Sequence, residues 1–461
     1  MYRLLSICVL LVSLPAAAQA GTCYVAVDGK PENNGSREKP WPSVEFALKK
    51  VGGGNTIVVR PGFYRGPIEV ARAYAGTEKA PTVVRSEEKW KAVVVGSPGN
   101  GITIGDNCDW VTVEGFEVLG AWYRGVMLGG SHNTLRDCWV HHNARQGVAM
   151  GNSGGLIENN LIEFNGSHVQ FDRGVYASGS RHTFRGNVIR HNSGFGLHLY
   201  DHLSDSLVAY NLVYGHPLHS GVIVVRGDGG PNRVVHNTIF ARGPALDIWS
   251  GDGEVVGNNI LVGGGDPISL YQCKKVLADY NLCWPKSQHD GPHGIAAQPQ
   301  VLSETQGLFW LTKASPAIGK GSAEYALPTD FWGRPAAKDK APDLGAFAYV
   351  PSLLEPQARA GWYRDWAYGY LPKTNSTPMI DLWILPKDLS GAKPSEKAVP
   401  GDADRAVPSG HLPRPPPCPR PPFPGDLGGR VEGPGGDGAG RRAEGRRADD
   451  LQGGGVIFGR C

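Results

Sequence analysis

The chain has 461 residues, a formal net charge of +3, 65 glycines, 14 histidines and eight cysteines. So small a charge on so long a chain excludes nucleic acid as the main partner, and glycine at about twice its usual share predicts many turns and few helices. Length leaves the domain count open, because all-β architectures often run past about 200 residues as one unit.

Residues 1–20 read as an export signal, with Arg3 as the positive start, Leu4 to Leu14 as the apolar core and Ala18-Gln19-Ala20 as the cleavage site. That core is too short for a lasting anchor, and no later segment approaches the roughly 20 apolar residues of a membrane span. The mature protein is expected to begin at Gly21 and to act as a monomer, away from membranes, in a periplasm or outside the cell. Cleavage removes Cys8 and leaves an odd number of cysteines, against a complete disulfide framework. Cys273 with Cys283 is the candidate pair that export permits.

From residue 115 the chain repeats itself. Gly, Asp or Asn followed by a short apolar run recurs at Gly115, Asp137, Asn160, Asn187, Asn211, Asn237, Asn259 and Asn281, in steps of 22 to 27 residues. A second strand-like run keeps step with it, starting at Gly125, Gly147, Gly174, Gly196, Gly221, Ala245 and Pro267. Units this short cannot hold a packed helix between strands. They must stack coil upon coil, each strand pairing in parallel with its counterpart. The asparagines suit the corners, where they tolerate left-handed backbone and would stack as a ladder.

In the second run, alternate residues face opposite ways. The inward set, from Val126 and Leu128 to Ile268 and Leu270, is apolar; the outward set includes Tyr176, His198, Tyr200, Asp247, Trp249 and Tyr271. Coils about 4.8 Å apart would place Tyr176, His198 and Asp247 along one groove, with Arg173 and His168 in the turns before it and Asp201, His202, Arg226, Asp228 and Asp252 in the turns beyond. The longest steps add residues at 166–173 and at 216–220 or 226–231, where extra loop length would wall a cleft.

The aromatic-rich stretch 351–386 carries Trp362, Tyr363, Trp366, Tyr368, Tyr370 and Trp383, suited to folding back on the coils or to binding sugar. Beyond it, 387–461 is low-complexity sequence that cannot bury enough apolar surface to order itself. Pro413 to Arg447 is biased enough to suit an out-of-frame translation.

The repeat, together with the stretches that flank it, resembles the pectate-lyase-like superfamily of right-handed parallel β-helix proteins, over Gly21 to Val350. Asp28-Gly29, Asn34-Gly35-Ser36, Lys39-Pro40-Trp41-Pro42 and Pro61-Gly62-Phe63-Tyr64 look like that family's usual entry, with a helix over Ser43 to Val51. Val44, Ala47, Leu48 and Val51 fall on one face of that helix, which would plug the open end of the coils. Ser315-Pro316-Ala317-Ile318, Gly333-Arg334-Pro335 and Asp343-Leu344-Gly345-Ala346 resemble its closing segment. The resemblance implies an all-β, right-handed parallel β-helix, or solenoid, with an N-terminal capping helix and N- and C-terminal caps, and composition adds a disordered tail.

Function follows less directly from fold. The first reading is a lyase that cleaves an acidic polysaccharide by β-elimination. No lysine lies between Lys91 and Lys274, whereas eleven of the 14 histidines lie between His132 and His236. The base would then be His, Arg or Tyr: His198, with Tyr176 or Tyr200 donating to the leaving oxygen and Arg173 neutralising the substrate carboxylate. Asp201, His202, Arg226, Asp247, Trp249 and Tyr271 would bind the sugar. A glycoside hydrolase built on Asp201 and Asp247, and a non-catalytic β-helix that binds carbohydrate or holds a metal through His198 with His202 or His216 with His219, are the competing readings. No metal ligand is assigned and no cofactor is expected; calcium at Asp228 or Asp252 is left open. His141, His142, Asn143, Asn165, His191 and Asn192 are read as stacked structural hydrogen-bonders.

Overall fold

The computed structural model describes residues 21–350, apart from 169–171, 218–219, 305–306, 332 and 334–339, and the side chain of Asp201. The expected export signal, aromatic-rich stretch and tail lie outside the described residues, as does His219.

Three parallel sheets run the length of a right-handed solenoid, and each strand pairs with the equivalent strand of the coils before and after it. The first sheet and the third have 11 strands each and the second has nine. Strands are mostly three to five residues long, because a turn interrupts the chain before a longer one can form. Inside, residues stack in columns. Ile57, Val84, Val113, Leu135, Ile157, Phe184, Val208, Val234 and Val256 form one column from the first sheet, every one of them buried. Each such side chain contributes roughly 1.5–3 kcal/mol by leaving water, and continuous columns hold the coils in register.

The corners do the rest. Asn160, Asn187, Asn211, Asn237, Asn259 and Asn281 form the expected ladder, each Nδ2 donating to the next Oδ1 at 2.9–3.0 Å. These asparagines are not themselves left-handed. That conformation falls on the residue before each of them, such as Asn159 (φ 56°), Tyr210 (φ 53°) and His236 (φ 54°), which turns the asparagine inward to serve the backbone of adjacent coils.

A helix over Val44–Val51 begins at Ser43, whose Oγ accepts from Phe46 N at 3.1 Å, and buries Val44, Ala47 and Leu48 against the first coil. No helix among the described residues is long and apolar enough to cross a membrane. At the other end, an antiparallel pair, Val301–Ser303 with Leu308–Leu311, lies on the outer face of the third sheet. Phe309 meets Tyr214 and Phe240 there, with ring centroids 4.7 Å apart in each case. The closing segment thus covers a side of the solenoid.

The proposed pair of cysteines does not form: Cys273 and Cys283 are both free. Cys283 faces the core from the third sheet, whereas Cys273 sits in the turn leaving the second and donates to Ile248 O at 3.2 Å. The two residues serve different corners of the coil.

Candidate functional site

The second sheet carries the groove. Its strands include Val126–Leu128, Val148–Met150, Val175–Ala177, Leu197–Leu203, Val222–Arg226, Leu246–Trp249 and Ile268–Tyr271. Register pairs Met127 with Ala149, Ala149 with Tyr176, Tyr176 with His198, His198 with Ile223, Ile223 with Asp247 and Asp247 with Ser269. Tyr176, His198 and Asp247 therefore share one outward column, as the alternation predicts.

At the centre of this face Arg173, Tyr176, His198 and Tyr200 come together with Phe195, which the sequence reading had passed over. The His198 ring meets Phe195, Tyr200 and Tyr176 with centroids 4.9, 5.0 and 5.5 Å away. Arg173 lies over Tyr176 and Phe195, 5.5 and 5.9 Å from their ring centres, and its Nε donates to His198 Nδ1. That bond fixes a tautomer. With Nδ1 accepting, a neutral His198 carries its proton on Nε2. Although it belongs to the outward column, His198 is only 7% exposed, because aromatic neighbours and Arg173 cover it. Burial also lowers the pKa of Arg173, against smaller opposing effects of Tyr176 and Asp172.

Loops wall the cluster on both sides. Before the Val175 strand, Asp172 is fully buried and its Oδ2 accepts from Ser167 N and His168 N at 3.0 and 2.7 Å, pinning the turn that presents Arg173. Beyond Leu199 the register slips, and Tyr200, Asp201 and His202 stand opposite the single residue Val225 before Leu203 pairs with Arg226. His202 is exposed at this bulge with φ 71°.

Further along, Asp247 is half-buried, and desolvation raises its pKa despite hydrogen bonds offered by Ser269 and Trp249. Trp249 and Tyr271 stand on adjacent coils, 36% and 55% exposed, with rings 5.5 Å apart. Arg226 ends the Val222–Arg226 strand. It lies 3.3 Å from Glu254 Oε1 and donates to Gly229 O at 2.5 Å.

Residues 23–229 match a family model described as the Pel9A-like, right-handed β-helix region. Pectate lyase L of Paenibacillus polymyxa (strain SC2) is 32% identical over 341 residues, 70% of this chain and 71% of that protein. The chain belongs to the pectate-lyase-like β-helix superfamily. Pectate lyase L of Dickeya dadantii (strain 3937) is 31% identical over 147 residues, 28% of this chain, and the match spans only 34% of that protein's length. The crystal structure of pectate lyase Pel9A aligns with a TM-score of 0.54 at 19% identity, over 72% of this chain and 97% of that one, a likeness of fold.

Within this pectate-lyase-like scaffold, a cavity of about 430 Å³ opens beside the groove, lined by Arg226, Asp228, Asp252 and Lys274 among others. Calcium takes six to eight oxygens, and the lining brings two carboxylates, Asp228 and Asp252, beside two cations, Arg226 and Lys274. Among the described residues no three His, Cys, Asp or Glu side chains gather to hold a metal ion. Near the cavity lies Glu254, which sequence reading missed. It is 2% exposed, its Oε2 accepts from Asn232 N at 2.6 Å, and burial raises its pKa to about 7 despite Arg226. A signal existed: Ser206 and Asn232 each stand just before a strand of the first sheet, and Glu254, inside the Asp252–Gly257 strand, continues their capping column.

Proposed function

We propose that this protein is an exported polysaccharide lyase that cleaves an acidic glycan by β-elimination at the Arg173–His198 cluster. The observation that carries the reading is the hydrogen bond from Arg173 to His198 Nδ1, set among tyrosines on a groove that runs along the coils. The similarity to proteins named pectate lyase supports the substrate class. Export rests on the pattern of residues 1–20.

Arg173 can serve His198 or a substrate carboxylate. A uronate entering the groove draws the guanidinium into a bidentate pair, which uncovers the Nδ1 lone pair and withdraws charge from the carbon beside the carboxylate. His198 then takes the proton from that carbon. The released electrons form the new double bond and expel the glycosidic oxygen, which takes a proton from Tyr176 or Tyr200. The base thus becomes available only with an anionic sugar in place. Asp247, Trp249 and Tyr271 bind neighbouring sugar rings, the aromatic faces by stacking and the carboxyl by hydrogen bonds to hydroxyls.

Incubation with polygalacturonate and other polyuronates, followed by detection of unsaturated sugar ends, tests this reading. New reducing ends without unsaturation would instead support a hydrolase, for which the raised pKa of Asp247 supplies a candidate acid.

A further inference from the structure

Upstream of the cluster, the residue before each opening glycine of the groove sheet forms a column along one wall. Gly101 N donates to Arg124 O at 2.9 Å, Gly125 N to Gln146 O at 3.1 Å, Gly147 N to Arg173 O at 3.0 Å and Gly174 N to Phe195 O at 3.0 Å. Arg124 consequently stands in line with Arg173, two coils nearer the N-terminus and roughly 10 Å away.

The two nearest arginines on this wall differ in their commitments. Arg145 lies 3.6 Å from the fully buried Asp172. Arg124 lies over the Tyr123 ring at 4.4 Å and donates Nη2 to the Tyr123 hydroxyl at 3.2 Å, while its Nε is buried without a hydrogen-bond partner among the described residues. Beside it, Trp122 is 62% and Tyr123 43% exposed. Large aromatic rings left in water next to a cation that meets no carboxylate among the described residues suit a ligand with apolar ring faces and negative charge. The outward column between this place and Tyr176 holds only Met127 and Ala149, which leave the floor uncharged and continuous with the groove.

We propose that Trp122, Tyr123 and Arg124 form a further subsite for an acidic glycan, with Arg124 binding the carboxylate of a uronate that lies remote from the scissile bond. The inference rests on the groove being an acidic-glycan site. The polymer would lie along the solenoid axis, its carboxylates held by Arg124 and Arg173 and a sugar face stacked on Trp122.

Calorimetric titration of the full chain with a galacturonate dimer and hexamer, and with the methyl-esterified hexamer, tests it. The unaltered protein should bind the hexamer more tightly than either of the other two. Arg124→Gln and Trp122→Ala should each weaken hexamer binding by about ten- to hundred-fold while sparing the dimer, and Arg124→Lys should recover part of the loss. Hexamer affinity unchanged in both variants, or equal losses for dimer and hexamer, overturns the subsite and leaves the reading of the groove standing. Failure of the unaltered protein to bind any acidic oligomer overturns both.

Discussion

Two outer faces of the solenoid carry similar residues to different ends. On the second sheet Arg173, Tyr176, His198 and Tyr200 gather on a face that borders solvent. On the third, Trp139, His141, Glu163, Arg190 and Tyr214 also point outward, but the C-terminal pair lies nearby and the charged groups are sealed. Glu163 and Arg190 have side chains only 4% and 6% exposed, 2.5 Å apart. Arg190 Nη1 donates to Tyr214 Oη at 2.9 Å, and Trp139 Nε1 to Glu163 at 2.9 Å. Burial alone would raise the Glu163 pKa, but Arg190 together with His141 and Trp139 outweighs it and holds the carboxyl below its ordinary range. Identical side-chain chemistry becomes a structural clasp where it is covered and a reactive candidate where a ligand can reach it.

The contrast breaks most sharply by mutation. His198→Ala should lower kcat/KM on a cleaved polyuronate by about 10²–10⁴ with a near-normal unfolding temperature; full retained activity removes His198 as base. On the covered face, Arg190→Met should cost about 3–5 kcal/mol, since it strands a buried carboxylate, and should leave kcat on the folded fraction unchanged. Denaturant unfolding read beside activity separates the two outcomes.

A smaller loss is expected at a corner. Asn211→Ala should cost about 1–3 kcal/mol, because Asn187 and the Phe184 carbonyl lose their partners inside the ladder.

The gentlest probe is pH. Burial lowers the pKa of His142, His216 and His236 to about 4, outweighing smaller effects of neighbours. Their stabilisation is complete above the ordinary histidine value and is lost as pH falls through 4. Glu254 works in the opposite direction: with its pKa raised to about 7, its contribution is present below the ordinary carboxyl range and fades as pH rises through 7. Unfolding temperature should thus decline as pH falls from about 6.5 to 4 on account of the histidines, and decline as pH rises from about 4.5 to 7 on account of Glu254. Glu254→Gln should flatten the upper slope. His216→Asn should soften the lower one, and would also continue the column of Asn143, Asn165 and Asn192 that His216 now follows.

Much of the groove was legible before the structure because a period of two fixes facing and a repeat fixes neighbours. Those two rules put Tyr176, His198 and Asp247 in one column. They did not reveal that Phe195 and Arg173 bury His198, since the loop that delivers Arg173 departs from the repeat. Arg226 was read as reaching substrate, and the structure adds Glu254, a partner that local turn composition concealed. The candidate cysteine pair failed for a related reason: export permits a disulfide but says nothing about which corner a side chain serves.

By itself, then, the sequence determined the solenoid, its inward columns and its asparagine corners, because each depends on a pattern repeated in every coil and reinforced by its neighbours. Tertiary structure alone decided which outward face stays open, which tautomer His198 adopts and which arginines remain available. Those outcomes depend on loops and a C-terminal segment that occur once, and a side chain's accessibility and charge are set by whatever happens to cover it.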